Sequence, residues 1–128
     1  MKIRLNSVLV GDQEKALLFY TETLGFEKKT DIPVGEFRWL TVVSTEEPDA
    51  TELVLEANAF PAAATYQQAL FEAGIPATAL EVDDIDREYE RLTGAGVDFR
   101  SEPTDAGGVT IAVFDDTCGN LIQLYQAP

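Results

Sequence analysis

The 128-residue sequence contains no histidine, a single cysteine, a single tryptophan, and nine basic residues against 23 acidic ones. The missing imidazole excludes serine–histidine and cysteine–histidine nucleophiles and histidine acid–base work. It also excludes the usual zinc sites, since one thiol cannot complete a four-ligand shell of nitrogen and sulfur. Cys118 has no partner within the chain for a disulfide, which suits a reducing compartment. With so few basic residues the formal net charge is −14, a field that repels phosphate backbones and anionic lipid, so nucleic-acid binding is not expected. No apolar run approaches the roughly 20 residues that cross a bilayer. The apolar stretch Val8-Leu9-Val10, after Lys2 and Arg4, stops at Gly11-Asp12, short of a secretory signal core. These absences point to a cytoplasmic protein without membrane attachment.

What is present is a repeated pattern. Ser7 to Val10 reads as a short apolar strand running into Asp12, whose carboxylate can cap a helix. From Gln13 to about Leu24, the residues Ala16, Leu17, Tyr20 and Leu24 recur at helical spacing, and Gly25 supplies a left-handed stop. Later, Thr78 to Val82 is again strand-like and Asp84 is again a cap. Ile85, Tyr89 and Leu92 then form a stripe ending at Gly94-Ala95-Gly96. Strand material follows each helix, at Phe37 to Val43 and Glu52 to Glu56 in the first half, and at Val109 to Phe114 and Leu121 to Tyr125 in the second. Turn chemistry at Thr45 to Asp49 and at Asp115 to Asn120 joins antiparallel strands. An alanine-rich helix from Pro61 to Ala73, with Tyr66, Ala69 and Leu70 on one side, connects the halves and stops at Gly74-Ile75-Pro76.

The expectation is one α+β domain of two tandem βαβββ modules, residues 1–57 and 77–128 with a connector at 58–76. Together they form a curved mixed sheet around a cleft. Two other patterns lead nowhere. Asp84, Asp86 and Glu88 alternate as in a calcium loop, but Tyr89 stands where its glycine is required. Gly94-Ala95-Gly96 opens like a dinucleotide fingerprint, but Phe99 replaces the third glycine and no βαβ unit follows.

Several stretches carry a family resemblance: Val10 to Ala16, Phe19-Tyr20-Thr21-Glu22-Thr23-Leu24-Gly25-Phe26, Val82-Asp83-Asp84, Gly94 to Val97, and Asp116 to Leu124. In these the chain resembles the vicinal oxygen chelate superfamily of glyoxalase I, extradiol dioxygenases, fosfomycin-resistance transferases and bleomycin-resistance proteins. The resemblance implies a glyoxalase-like fold but no single reaction, because one scaffold hosts many. It also implies where a metal would be held. The family's first histidine, seven residues before the capping aspartate, is here Leu5, and its second is Ala77. A glutamate of the fourth strand corresponds to Glu52 or Glu56, and the last glutamate is replaced by Gln123. At most one anionic ligand remains, so no metal and no cofactor are expected.

The same cleft without metal is what the family's drug binders use. The resemblance therefore implies a metal-free protein that binds or sequesters a small molecule without covalent chemistry, with catalysis left open as an alternative. Strand parity then selects ligand-binding residues: Leu5 with Ser7, Ala77 with Ala79, and Gln123 with Tyr125, joined by Trp39 and Glu56. Trp39 and Arg38 alternate, so only one of them faces the ligand. An apolar floor, nearby aromatics and the negative field favour a planar ligand, neutral or cationic. A homodimer is expected from the resemblance. Two alternatives stand beside this reading. One is a lyase or isomerase acting on a small carbonyl compound with Glu56 as acid or base, and the other is a dimeric interaction module with a filled cleft.

Overall fold

The computed structural model describes residues 1–128 and divides them into two compact units, Met1–Thr65 and Tyr66–Pro128. In the first unit β1 (Leu5–Val10) leads through Asp12 into α1 (Gln13–Leu18), followed by β2 (Glu27–Val34), β3 (Phe37–Val43) and β4 (Glu52–Ala57). The sheet order is β1-β4-β3-β2, with β1 and β4 parallel and the remaining pairs antiparallel. The parallel pair is possible because α1 and two further strands intervene, giving the chain length to cross over. Asp12 caps as its position suggests, accepting the Lys15 N–H at 3.1 Å.

The first helix departs from expectation beyond Leu18. The chain continues as a π-helical turn, Phe19–Thr23, in which the Leu24 N–H reaches back to the Phe19 carbonyl at 3.0 Å. The Thr21 hydroxyl donates to the Leu17 carbonyl at 2.6 Å, and a side chain competing for a carbonyl in this way loosens the regular ladder. Gly25, at φ 92°, then releases the chain. The apolar stripe still does its work, because Ala16 and Tyr20 are fully buried against Val10, Leu40, Val42 and Leu55 of the sheet.

In the second unit the connector helix α2 (Pro61–Glu72), which spans the division, is followed by β5 (Thr78–Glu81), α3 (Ile85–Gly94), β6 (Phe99–Asp105), β7 (Thr110–Asp115) and β8 (Leu121–Gln126). Its sheet order, β5-β8-β7-β6, repeats that of the first unit. Asp84 caps α3 by accepting the Arg87 N–H at 3.1 Å, and Gly96 turns the chain at φ 89°. Ile85 and Leu92 of α3 and Ala112, Phe114, Ile122 and Leu124 of β7 and β8 are buried, with Phe99 packed edge-on to Tyr89. The strand–helix–three-strand order thus occurs twice, and its hydrogen bonding forms two four-stranded sheets. β2 and β6 had no distinct sequence signal: both are polar edge strands, EKKTDIPV and FRSEPTD, and such strands carry charge and proline rather than an apolar run.

α2 packs otherwise than its composition suggests. Tyr66 is 62% exposed and Ala69 is exposed, so the expected side of Tyr66, Ala69 and Leu70 is not the packed face; Gln67 is buried instead. The reason is polar. Gln67 Nε2 donates to the Cys118 carbonyl at 3.2 Å and to Asn120 Oδ1 at 3.1 Å, while the fully buried Asp116 carboxylate accepts from the N–H groups of Cys118 and Asn120 and from Asn120 Nδ2. The β7–β8 turn is therefore a satisfied polar knot rather than an open loop. Gly119 completes it at φ 104°, where an added Cβ would lie 2.6 Å from Gln67 Nε2.

Gly119→Ala is expected to cost about 2–4 kcal/mol, combining left-handed strain with the loss of the Gln67 bonds. Gly107→Ala, also at positive φ but with open space around it, should cost only about 1 kcal/mol. Urea unfolding of both variants checks this, and equal losses would show that the knot contributes nothing beyond backbone strain.

Candidate functional site

Alternation along each strand sends one set of side chains toward the helix and the other set to the opposite, helix-free face. In the first sheet Val8 and Val10 of β1 go under α1, so Leu5, Ser7 and Leu9 go to the other side. The register Leu5↔Glu52, Ser7↔Val54 and Leu9↔Glu56 places these partners on that face too, and Thr41↔Val54 extends the row into β3. Trp39 and Phe37 therefore share it, as do Ile32 and Val34 of β2, their partners across the β2–β3 ladder. Leu5 is 48%, Phe37 44% and Trp39 41% exposed, whereas Thr41, Val43 and Val54 of the same face are buried. Glu56 is exposed on this face without a hydrogen-bond or ion-pair partner, whereas the Glu52 carboxylate accepts the Thr41 hydroxyl at 2.8 Å.

In the second sheet Ala79↔Gln123 and Glu81↔Tyr125 are paired on the helix-free face, where they are joined by Ile111 and Val113. Ala77 lies just before β5 and is tied in by its N–H to the Leu121 carbonyl at 2.8 Å. Tyr125 points its hydroxyl at Glu81 Oε2 at 3.5 Å, the outer limit of a hydrogen bond. The eight expected residues thus form two groups, Leu5, Ser7, Trp39 and Glu56 on the first unit and Ala77, Ala79, Gln123 and Tyr125 on the second.

The register also identifies the carboxylate opposite Leu5 as Glu52. Leu5 and Ala77 carry no donor atom for a metal and Gln123 offers only a neutral amide. No group of three or more histidine, cysteine, aspartate or glutamate side chains is placed to hold an ion. The donor set does not fit the metal of the glyoxalase-type enzymes.

Arg38, the neighbour of Trp39, is turned to the opposite face and is fully engaged there. Its guanidinium binds Asp31 with Nε at 3.0 Å and Nη2 at 2.7 Å, and Glu14 Oε2 with Nη1 at 2.6 Å. Hydrogen bonding from Arg38 holds the Asp31 carboxyl down at about 2, partial desolvation opposes this, and Lys28 adds to the lowering. The same two carboxylates raise the Arg38 guanidinium. Arg38 is thus unavailable as an anion anchor on the Trp39 face. Sequence reasoning missed Phe37 and Gln13 among the residues that shape this face. Phe37 was within reach through its parity with Trp39, whereas nothing in the sequence marks the bonds that Gln13 makes to β3 and β4.

On the helix side of the first unit Leu17, Leu18, Thr21, Phe26 and Lys28 line an open groove of about 470 Å³, which contains none of the expected residues.

A strand–helix–three-strand unit occurring twice, each with a helix-free sheet face, defines the class of paired βαβββ proteins. The chain belongs to the Glyoxalase/Bleomycin resistance protein/Dioxygenase superfamily, whose model matches residues 3–124. It is 59% identical over 126 residues to the uncharacterized protein YurT of Bacillus subtilis (strain 168), covering 98% of this chain and 99% of YurT. Among solved structures it resembles UcmS2, at 37% identity and a TM-score of 0.84 over 98% of this chain and 97% of that one. It also resembles TnmS3, an antibiotic binding protein from Streptomyces sp. CB03234, at 34% identity and a TM-score of 0.79 over 100% of this chain and 97% of TnmS3.

Because Asp31 has a depressed folded pKa, the stability it contributes is present above its ordinary value of 3.8 and is lost as pH falls through about 2. Asp31→Asn should therefore melt at a lower temperature than the parent above about pH 4. The gap should close toward pH 2, and a gap that does not change with pH would contradict the ion pair.

Proposed function

We propose that this protein binds a planar small molecule, neutral or cationic, on the helix-free sheet faces, without covalent chemistry and without a metal ion, and that it does so as a cytoplasmic homodimer. One observation carries the reading: Leu5, Phe37 and Trp39 lie exposed on a single sheet face that has no helix of its own. Exposed apolar side chains gathered on one face are costly in water and favour a surface that something covers. A flat aromatic ligand suits it, because stacking on an indole adds to the gain from desolvation. The similarity to an antibiotic binding protein supports the same reading.

The charge of the ligand follows from what shares the face. Glu56 is free there while Arg38 is held on the other side by Asp31 and Glu14, so the polar contact available beside Trp39 is anionic. With a net charge of −14 around it, the face should disfavour phosphorylated and carboxylated compounds. The acid–base reading of Glu56 lacks an orienting partner, since its carboxylate is exposed and unpaired.

Thermal-shift measurements on planar compounds of matched size and differing charge test the proposal. A ligand present at about a hundred times its Kd adds about 2.7 kcal/mol, and so raises Tm by about 10 °C in a domain of this size. Cationic and neutral compounds should give such shifts, with the advantage of the cations shrinking at high salt. Trp39→Ala should weaken binding about tenfold or more. Strongest stabilisation by dicarboxylates or phosphonates would refute the assignment.

A further inference from the structure

The two sheets differ where their inner antiparallel strands meet. β7 and β8 pair at six consecutive positions, from Thr110↔Gln126 to Asp115↔Leu121. Their counterparts β3 and β4 pair only at Thr41↔Val54 and Val42↔Leu53, although both strands continue beyond this point to Phe37 and Ala57. At the place where the ladder stops, the Gln13 side chain enters. Its Nε2 donates to the Arg38 carbonyl at 2.7 Å and to the Leu55 carbonyl at 2.9 Å, and its Oε1 accepts the Arg38 N–H at 3.0 Å. One amide thus makes both backbone bonds of Arg38 and reaches across to β4, taking the place of a ladder rung.

We infer that Gln13 is a positioning residue that holds β3 and β4 apart beneath Trp39 and Glu56, so that the indole and the carboxylate flank a slot instead of packing against each other. Continuing the register past Thr41↔Val54 would set Trp39 beside Glu56. In an intact ladder their Cβ atoms would then stand only about 5 Å apart. An amide inserted between the strands widens that spacing by roughly one hydrogen-bond length, about 3 Å, close to what the edge of an aromatic ring needs. The helix fixes the slot as well as the helix side of the strand. Gln13 and Glu14 are adjacent residues of α1, and they grip the backbone and the guanidinium of the same residue, Arg38, next to Trp39. The functional consequence, that the slot admits a flat cationic ring between Trp39 and Glu56, rests on the binding role proposed above.

The single tryptophan makes both parts measurable. In Gln13→Leu, which keeps the bulk but loses the amide, the freed Arg38 and Leu55 backbone groups should draw the strands together. Trp39 emission should then shift to the blue, and its quenching by acrylamide should fall. Asp84→Ala, which removes the α3 cap in the other unit at a cost of about 1 kcal/mol, controls for general loss of stability and should leave the emission unchanged. Proflavine, a planar cation, and acridone, its neutral counterpart, serve as probes. Wild-type protein should bind proflavine more tightly than acridone, and Gln13→Leu should weaken proflavine binding about tenfold or more. Unchanged emission and quenching in Gln13→Leu, or an equal change in Asp84→Ala, would overturn the positioning role. A shifted emission in a protein whose wild type binds neither probe would uphold that role and remove the binding reading instead. Equal proflavine affinity in wild type and Gln13→Leu would refute the slot.

Discussion

A four-stranded sheet served by one helix can have only one of its faces covered by that helix, and in this protein the constraint is met twice. Strand alternation then leaves every second residue of all four strands on the other face. The buried half of the pattern, Val8, Val10, Leu40, Val42 and Leu55 under α1, accounts for much of the hydrophobic stabilisation of the first unit. The other half contains Leu5, Phe37, Trp39, Ile32 and Val34, apolar side chains that all remain exposed.

Polar groups, rather than further apolar contact, determine how the strands of each unit are joined. Gln13 stands in for backbone between β3 and β4, and Gln67, Asp116 and Asn120 lock the β7–β8 turn to α2. In both places a side-chain amide meets backbone groups that would otherwise be left unpaired, which is costly away from water. The two sets have opposite consequences. The knot around Gly119 keeps a turn closed, while the amide of Gln13 keeps a sheet from closing.

Much of this was legible in residue order. Asp12 and Asp84 cap the helices as their positions suggested, Gly25 and Gly96 turn the chain, and the parity of Leu5 with Ser7 and of Gln123 with Tyr125 holds in the registers. Alternation of Arg38 with Trp39 was also readable, but not which of them would face the helix, since that depends on α1 bringing Glu14 to the guanidinium. The polar edge strands β2 and β6 escaped notice because pairing on one side requires no apolar period.

What the sequence by itself determined is therefore the local grammar: helix starts and stops, the repeated strand–helix order, the loss of imidazole, and the superfamily to which these belong. These are properties of neighbours along the chain, set by capping, glycine conformation and side-chain period. Only the tertiary structure decided that Glu52 rather than Glu56 lies opposite Leu5, that Gln67 rather than Tyr66 is buried, and that a glutamine in the first turn of α1 interrupts a ladder more than twenty residues away. Each of these is a pairing between segments distant in sequence. A polar side chain shows nothing of its partner until folding places an unsatisfied donor or acceptor within reach.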